Sequence, residues 1–161
     1  MCAFAPAGRA EAKIEDVASF KGAQVTGVTV SDKGRIFVNF PRWREQIPCS
    51  VAEVRKDGSY TPYPDEKTNR WEKGMPGDGD AFVCVQSVVA DGDRLYVIDT
   101  KNPMIGKTVA VPALYVYDLN TDKLVRKYPL AESTSRIPML MTCAWTVSMA
   151  KFILRIPTIR G

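Results

Sequence analysis

Histidine is absent from the 161 residues of the chain. Its absence excludes nucleophile systems of the Ser-His-Asp and Cys-His types, and it excludes zinc sites built with imidazole ligands. The side chain best suited to proton transfer near neutral pH is also missing. Any chemistry must therefore use carboxylates, lysine, tyrosine, cysteine or a metal ion held by oxygen ligands.

Cysteine is scarce and is not arranged for metal binding. Cys2, Cys49, Cys84 and Cys143 include no pair at CxxC spacing, so neither a zinc knuckle nor a thioredoxin-like motif is indicated. Cys84 lies in an apolar segment, where we predict a small buried hydrophobic residue. A Cys49–Cys84 disulfide is an open alternative.

Long apolar runs and a concentrated basic surface are missing as well. No window approaches the roughly 18 consecutive apolar residues that a membrane-spanning helix needs, so no membrane span is predicted. The net charge is +4 with basic residues scattered among acidic ones, which argues against a nucleic-acid partner. The apolar fraction of 45% and the charged fraction of 25% are those of a soluble globular protein.

The chain contains two copies of one sequence pattern. Residues 25–40 and 51–59 form the first copy, and residues 85–100 and 114–125 form the second. Arg35 and Arg94 occupy matching positions about 59 residues apart. A repeating unit of strand, turn, strand, gap, strand and turn is typical of a radial β array, in which each unit needs neighbours to bury its faces.

The predicted architecture is all-β, with antiparallel meander sheets that form part of a propeller. Alternating or apolar segments rich in β-formers are separated by Asp-Gly and similar turn residues. Residues 61–80 contain several prolines, glycines and charges, and we predict a long surface loop there. Strands are predicted at residues 25–31, 35–40, 51–56, 82–90, 94–99, 113–119 and 123–128.

Six sequence words occur in a fixed order along the chain. They are Gly-Arg-Ile-Phe-Val-Asn-Phe-Pro-Arg-Trp (34–43), Ser-Val-Ala-Glu-Val (50–54), Pro-Tyr-Pro-Asp (62–65), Val-Gln-Ser-Val-Val-Ala-Asp (85–91), Arg-Leu-Tyr-Val-Ile-Asp-Thr (94–100) and Tyr-Asp-Leu (117–119). Together they closely resemble the yellow/major royal jelly protein family, in the form found in bacteria. The resemblance covers about residues 17–130. It implies a six-bladed propeller, usually exported, of which this chain has room for two to three blades.

The resemblance also suggests a division of the chain. Residues 1–16 are predicted to be a disordered lead-in or a signal remnant, since Ala10-Glu11-Ala12 resembles a cleavage site, and residues 17–136 to be the partial propeller. For residues 140–146, codons shifted by one base permit the strand Asn-Asp-Val-Arg-Val-Asp that the family pattern expects. We therefore interpret residues 137–161 as a non-native, out-of-frame tail, with a chance match among degenerate codons as the alternative.

Polar residues on the innermost strands are the first candidates for a ligand site. In propellers these strands line the axial channel, and loops at one mouth build the site. Residues 24–30 and 84–90 are the innermost candidates, with Gln24, Thr26, Gln86 and Ser87 as their polar members. These side chains could face the channel, or they could satisfy neighbouring backbone groups.

The ends of the second strands supply the other candidates. Asn39, Arg42 and Trp43 follow one of them, and Arg42 beside Trp43 could clamp an aromatic or anionic ligand by stacking and a planar donor fork. The alternative is that Trp43 packs between blades while Arg42 pairs with a carboxylate. Asp99 ends the matching strand, where it suits an amine or a hard cation or simply caps a turn.

Two functions from different classes remain at this point. The first is a yellow-type propeller that binds a small aromatic or amine molecule, crippled as a fragment and without a cofactor. The alternative is a gluconolactonase-like or tautomerase-like enzyme that uses carboxylates and a divalent cation. A product without function is a third possibility, since open sheet edges would favour self-association. A secreted or periplasmic location is expected, with the cytoplasm as the alternative.

Overall fold

The computed structural model describes residues 14–130, which form two four-stranded antiparallel sheets. In both sheets the strands follow one another in chain order, so each sheet is a meander. Blade 1 consists of β1 (Gly27–Val30), β2 (Ile36–Asn39), β3 (Val51–Val54) and β4 (Tyr60–Pro62). Blade 2 consists of β5 (Val85–Asp91), β6 (Arg94–Asp99), β7 (Ala113–Asp118) and β8 (Lys123–Pro129). The predicted all-β partial propeller is confirmed, and these sheets do not close into a barrel.

Short polar turns join the strands within each blade. Gly34 and Gly58 follow aspartate-lysine and lysine-aspartate pairs and adopt φ values of +77° and +80°, which non-glycine residues rarely adopt. Ser31 closes the first turn, because its N–H donates to the Arg35 carbonyl at 2.9 Å. The turn residues therefore fix the register of each hairpin.

The segment at residues 61–80 differs from its prediction as a continuous loop. Tyr60–Pro62 forms the edge strand β4, and Glu66–Asn69 forms the one-turn helix α1. Asp65 caps this helix by accepting a hydrogen bond from the Thr68 N–H at 2.6 Å. The proline that argued against a strand is tolerated because β4 pairs with β3 alone among the described strands.

The main core lies between the two blades. Phe37 of β2 and Val51 of β3 face Leu95 of β6 and Tyr115 of β7, and all four are buried. Edge-to-face ring contacts extend this core, including one between Phe82 and Tyr115 with ring centroids 5.2 Å apart. Burying each large apolar side chain stabilises the fold by about 1.5–3 kcal/mol, so the packing of blade on blade is the principal source of stability.

Side-chain hydrogen bonds link blade 1 to blade 2 near the start of their innermost strands. The Asn39 amide donates to the Val85 carbonyl at 3.0 Å and to the Thr26 hydroxyl at 2.9 Å. Its carbonyl oxygen lies beside Gly27, where an added Cβ would come within 2.4 Å of that oxygen. Glycine is therefore required at residue 27 for Asn39 to reach from blade 1 to blade 2.

The outer face of blade 1 is apolar and partly open. Val38, Phe40 and Ala52 are buried there, and residues 18–25 cover part of the face. Val28 and Val30 of β1 remain 63% and 58% exposed, and a groove of about 280 Å³ runs beside them.

The two ends of the sheets carry different connections. At what we term the tight-turn end, short turns span residues 31–35, 55–59, 92–93 and 119–122. At the opposite, long-loop end, residues 40–50, 63–84 and 100–112 form the longer connections. Both innermost strands, β1 and β5, begin at the long-loop end. Any site built from loops beside the innermost strands must therefore lie there.

No helix within residues 14–130 has the length and apolar character to cross a membrane. The interpretation of residues 137–161 as an out-of-frame tail lies outside the described residues, as does most of the predicted lead-in at residues 1–16.

Candidate functional site

Residues 83–87, which include the first residues of β5, contact several of the site residues predicted from the sequence. Arg42 and Asp99 both bond to the backbone of Val83, and Asn39 bonds to that of Val85. Their elements, the ends of β2 and β6 and the start of β5, meet at the long-loop end. The structure thus gathers side chains from both blades around one short piece of chain.

Asp99 is the most heavily bonded of these side chains. Its carboxylate accepts hydrogen bonds from the N–H groups of Val83 at 2.8 Å, Cys84 at 2.9 Å and Lys101 at 3.0 Å. The Lys101 ammonium lies 2.9 Å from the same carboxylate. These two side chains are 0% and 1% exposed, so Asp99 holds the entry of β5 and the exit of β6 in a dry environment.

Because Asp99 bonds to Val83 and Cys84, the β5 ladder begins later than residue 82, where the sequence predicted it. The N–H groups of residues 83 and 84 bond to a carboxylate instead of a neighbouring strand. The strand itself starts at Val85.

Lys101 was not predicted as part of the site. Its φ of 54° is unusual for a residue with a side chain, and its ammonium donates to the Ala81 carbonyl at 3.1 Å. The ammonium also lies 5.6 Å from the centroid of the Tyr115 ring. Burial raises the pKa of Tyr115, so the phenol stays neutral beside this ion pair.

Arg42 is buried without a carboxylate partner among the described residues. Its Nε donates to the Val83 carbonyl at 3.1 Å, and its Nη1 donates to the Glu45 carbonyl at 3.2 Å. The guanidinium lies over the Trp71 ring, 5.5 Å from the centroid. Only 6% of Arg42 is exposed, and burial lowers its pKa.

Trp43 was predicted either to clamp a ligand together with Arg42 or to pack between blades, and ligand contact stays a prediction. It is half-buried and packs against Trp71, Val83 and Cys84. The aromatic partner of the arginine is therefore Trp71, which comes from the loop between β4 and β5.

The candidates on the innermost strands occupy two environments. Gln86 is half-buried, with its amide nitrogen 3.3 Å from the Cys84 sulfur, whereas Ser87 is fully buried. The Thr26 hydroxyl donates to the Gln86 carbonyl at 3.4 Å, which is one of the backbone contacts considered as an alternative to a channel role. Gln24 is exposed. Ligand contact at these residues stays a prediction.

A charged cleft of about 510 Å³ opens at the long-loop end. One wall is the loop between β2 and β3, and the other is the segment that leaves α1. Asn69 joins the two walls, because its side-chain oxygen accepts from the N–H groups of Ser50 and Val51, each at 2.9 Å. The cleft is lined by Arg42, Glu45, Gln46, Ile47, Pro48, Asn69, Arg70, Trp71, Glu72 and Lys73.

Cys49 and Cys84 are both buried free thiols, so the structure does not contain the disulfide that the sequence left open. Burial raises the pKa of Cys49 to about 12 and also raises that of Cys84. Both are therefore poor nucleophiles near neutral pH. Within residues 14–130, no group of three or more cysteine or carboxylate side chains comes together as a possible metal site.

The sequence reasoning missed Trp71, Asn69 and Lys101. A tryptophan in the middle of a charged, proline-rich loop was a signal that the loop folds back onto the protein. Asn69 and Lys101 gave no local signal, because their roles depend on partners in other strands.

Taken together, two adjacent four-stranded meander blades with a loop-built cleft at one end define a partial β-propeller. No family model matches the chain. Protein yellow of Drosophila erecta is 37% identical over 112 residues, which cover 60% of this chain and 19% of that protein. Protein yellow of Drosophila melanogaster is 36% identical over the same length, with the same coverage.

This similarity to protein yellow supports the resemblance to the yellow/major royal jelly protein family that the ordered sequence words predicted. The match spans about a fifth of the length of these curated relatives.

Proposed function

We propose that this chain forms the ligand-binding loop face of a yellow-type propeller and binds a small aromatic or amine molecule there. One observation carries the proposal: two of the long connections, residues 40–50 and 63–84, line the charged cleft at the end where β1 and β5 begin. Propellers commonly place their ligand sites at such a channel mouth.

The chemistry of the cleft supports an amine or aromatic ligand. Glu45 and Glu72 are exposed carboxylates on its lining, and they suit an ammonium group at hydrogen-bond distance. The half-buried Trp43 packs against Val83 and Cys84 and offers apolar surface. The half-buried Gln86, in the same segment 83–87, offers an amide group.

The fully buried candidates have a different part in this proposal. Asn39, Ser87 and Asp99 are each 0% exposed, so they shape the wall of the site and do not touch the ligand directly. Arg42, at 6% exposure, lies at the boundary between wall and cleft.

No observation within residues 14–130 favours the alternative of a lactonase-like or tautomerase-like enzyme. Asp99, the carboxylate expected to hold a hard cation, already accepts three backbone N–H groups and pairs with Lys101. A divalent cation and turnover therefore stay predictions from the sequence.

The proposal includes export from the cytoplasm, weak binding compared with a complete propeller, and self-association of the fragment. Exposed Val28 and Val30 on the outer face of blade 1 support self-association, because apolar surface of this kind favours contact with other molecules. Sizing chromatography should show species larger than a monomer. A sharp monomer peak at high concentration would exclude this part of the proposal.

Calorimetric titration of the full chain with tyramine tests the binding function. We expect saturable binding without conversion of tyramine, and we expect Glu72→Gln to weaken it. Asp32→Asn, at an exposed position of the tight-turn end, is the matched charge change and should leave binding unaltered. If the folded wild-type chain showed saturable binding neither of tyramine nor of an aromatic acid, the proposal would be refuted.

A further inference from the structure

Within residues 14–130, the buried guanidinium of Arg42 has no carboxylate at ion-pair distance, although the charges of Asp99 and Glu72 act on it from further away. Removing a cation from water is costly unless an anion or a full set of hydrogen bonds compensates it. Arg42 has neither in direct contact among the described residues, because its two bonds go to the neutral carbonyls of Val83 and Glu45. Arg35, by contrast, pairs with Glu53 and Asp122.

The geometry leaves part of the guanidinium available. Arginine has five N–H donors in a planar fork, and Arg42 uses one on Nε and one on Nη1 within the described residues. Trp71 covers one face of the guanidinium plane, and the side chain lines the charged cleft. The remaining N–H donors are therefore available to a ligand in the cleft. The two hydrogen bonds to backbone carbonyls and the contact with the Trp71 ring hold the guanidinium in position.

We propose that Arg42 binds the carboxylate of a small organic acid in the charged cleft. The inference rests on the proposed function and narrows its ligand to an aromatic or amine molecule that also carries a carboxylate. A carboxylate matches the planar fork with two parallel, charge-assisted hydrogen bonds. A buried, pre-positioned fork also loses little side-chain freedom on binding.

The other charges of the cleft favour a monoanion. Arg70 and Lys73 add positive charge to that of Arg42, whereas Glu45 and Glu72 oppose it. The lining therefore carries three cationic and two anionic side chains, which leaves a surplus of one positive charge. A dianion such as phosphate would meet repulsion from both glutamates, and an ammonium on the same ligand would be attracted to them.

A test that varies the ligand and keeps the wild-type protein avoids the risk that a variant fails to fold. Wild-type protein is titrated with 3-(4-hydroxyphenyl)propionate, with its methyl ester and with tyramine, and binding is followed by calorimetry. We expect the free acid to bind at least about tenfold more tightly than the ester, since the ester has lost the charge. Equal affinity of acid and ester would overturn the carboxylate site.

The same titrations separate this inference from the proposed function. Binding of tyramine together with equal affinities for acid and ester would overturn the carboxylate site and leave the proposed function standing. Failure of all three compounds to bind the folded protein would overturn both.

Variants of Arg42 then locate the site. Arg42→Gln should reduce affinity for the free acid at least about tenfold while changing that for the ester little. Arg42→Lys, which keeps the charge and loses the fork, should retain an intermediate affinity. Arg55→Gln, in the exposed turn at residues 55–59 of the tight-turn end, is the control for general surface charge and should have a small effect. Thermal unfolding of each variant confirms that it is folded, and unchanged acid binding by folded Arg42→Gln would overturn the assignment.

Discussion

The two ends of the paired blades hold their charges in opposite ways. At the long-loop end, Asp99 and Lys101 form an ion pair that water does not reach, and Arg42 is buried beside them. At the tight-turn end, Arg35 pairs with Glu53 and Asp122 while its side chain remains 22% exposed. Both ends join elements of different strands, but only the first does so without solvent.

The contrast follows from what each end has to hold in place. A tight turn is fixed by its own residues, as in the turn where the Asp57 side chain accepts from the Ser59 N–H and hydroxyl. A long loop has no such local solution, so its backbone N–H groups must find distant acceptors. Asp99 and Asn69 supply them at the long-loop end. We therefore expect mutations there to cost more stability than equivalent changes at the tight-turn end.

The largest expected effect is that of Asp99→Asn. The substitution leaves the Lys101 ammonium buried without a counter-charge and turns an amide N–H group toward backbone donors. We expect a loss of about 3–5 kcal/mol in the free energy of unfolding, measured by urea denaturation.

The double variant Asp99→Asn/Lys101→Met serves as the control for Asp99→Asn. It should recover about 1–2 kcal/mol, because it removes the uncompensated charge. A single-variant loss below about 1 kcal/mol would contradict the view that the long-loop end depends on this pair.

Asn69→Ala should have the next largest effect. The side chain accepts from the N–H groups of Ser50 and Val51 and donates to the carbonyls of Tyr63 and Asp65. Leaving these groups without partners should cost about 2–3 kcal/mol. The measurement is urea denaturation, and a loss no larger than that of a surface substitution would contradict it.

Alkaline pH should destabilise the long-loop end through its buried thiols. Burial raises the pKa of Cys49 from its usual 9.0 to about 12, so the thiol ionises more readily in the unfolded chain. Its stabilising contribution is complete below about pH 9 and is lost as the pH rises toward 12. At pH 10.5 the loss from Cys49 should be about 2 kcal/mol.

Unfolding midpoints measured from pH 8 to pH 10.5 check this dependence on the thiols. The variant Cys49→Ala should show a shallower decline than the wild type, whatever its starting stability. Parallel pH profiles for the two proteins would show that this thiol does not contribute.

Arg35→Met tests the tight-turn end and should cost less, about 1–2 kcal/mol. It removes the bonds to Glu53 and Asp122 and the one to the Leu119 carbonyl at 2.7 Å, which links blade 1 to blade 2. The matched control is Arg94→Met, at the corresponding position of the repeat.

Arg94 is 38% exposed and pairs with Asp118 of its own blade, so Arg94→Met should cost below about 1 kcal/mol. Chemical denaturation compares the two variants. Equal losses would indicate that the bonds across the blades add nothing.

Acid should produce the smallest effect, and we expect it at the tight-turn end. The pKa of Asp118 is lowered by its bond to Arg94, and the pKa of Asp57 is lowered by its bonds to Ser59. A lowered pKa means that the contribution is present above the usual value of 3.8 and is lost as the pH falls below it. Protection of the Asn120 amide, which donates to Asp118, against hydrogen exchange should fall below that pH when the rate is compared with that of an unstructured peptide at the same pH. Exchange at the Thr100 amide, which donates to the Cys84 carbonyl, should not follow it.

Much of the fold could be predicted from the sequence because its determinants are local. Aspartate-glycine turns and alternating β-branched residues specify hairpins within a few positions of one another. β4 was not predicted because it has only three residues, one of them proline, and so shows no periodic pattern. The delayed start of β5 escaped it because the competing acceptor, Asp99, lies 15 residues beyond Cys84.

The candidate site could be predicted only in part, because some of its contacts join residues that are far apart in the sequence. The ends of β2 and β6 follow from the repeat, so the neighbourhood of Arg42 and Asp99 was accessible to pattern reasoning. Which tryptophan covers Arg42 depends on how the loop after α1 folds back, and nothing in the local sequence favours Trp71 over the adjacent Trp43. Long-range partners of this kind are fixed by tertiary packing.

The seam between the blades has an evolutionary consequence. No β-ladder crosses it within residues 14–130. Side chains link the two blades there, such as that of Asn39 at the end of β2, which bonds to Val85 of β5. A gene duplication or deletion could therefore add or remove one whole blade without tearing a hydrogen-bonded sheet. Gly27 and Asn39 are among the residues that each new neighbour would have to accommodate, so they mark one place where such modular growth is constrained.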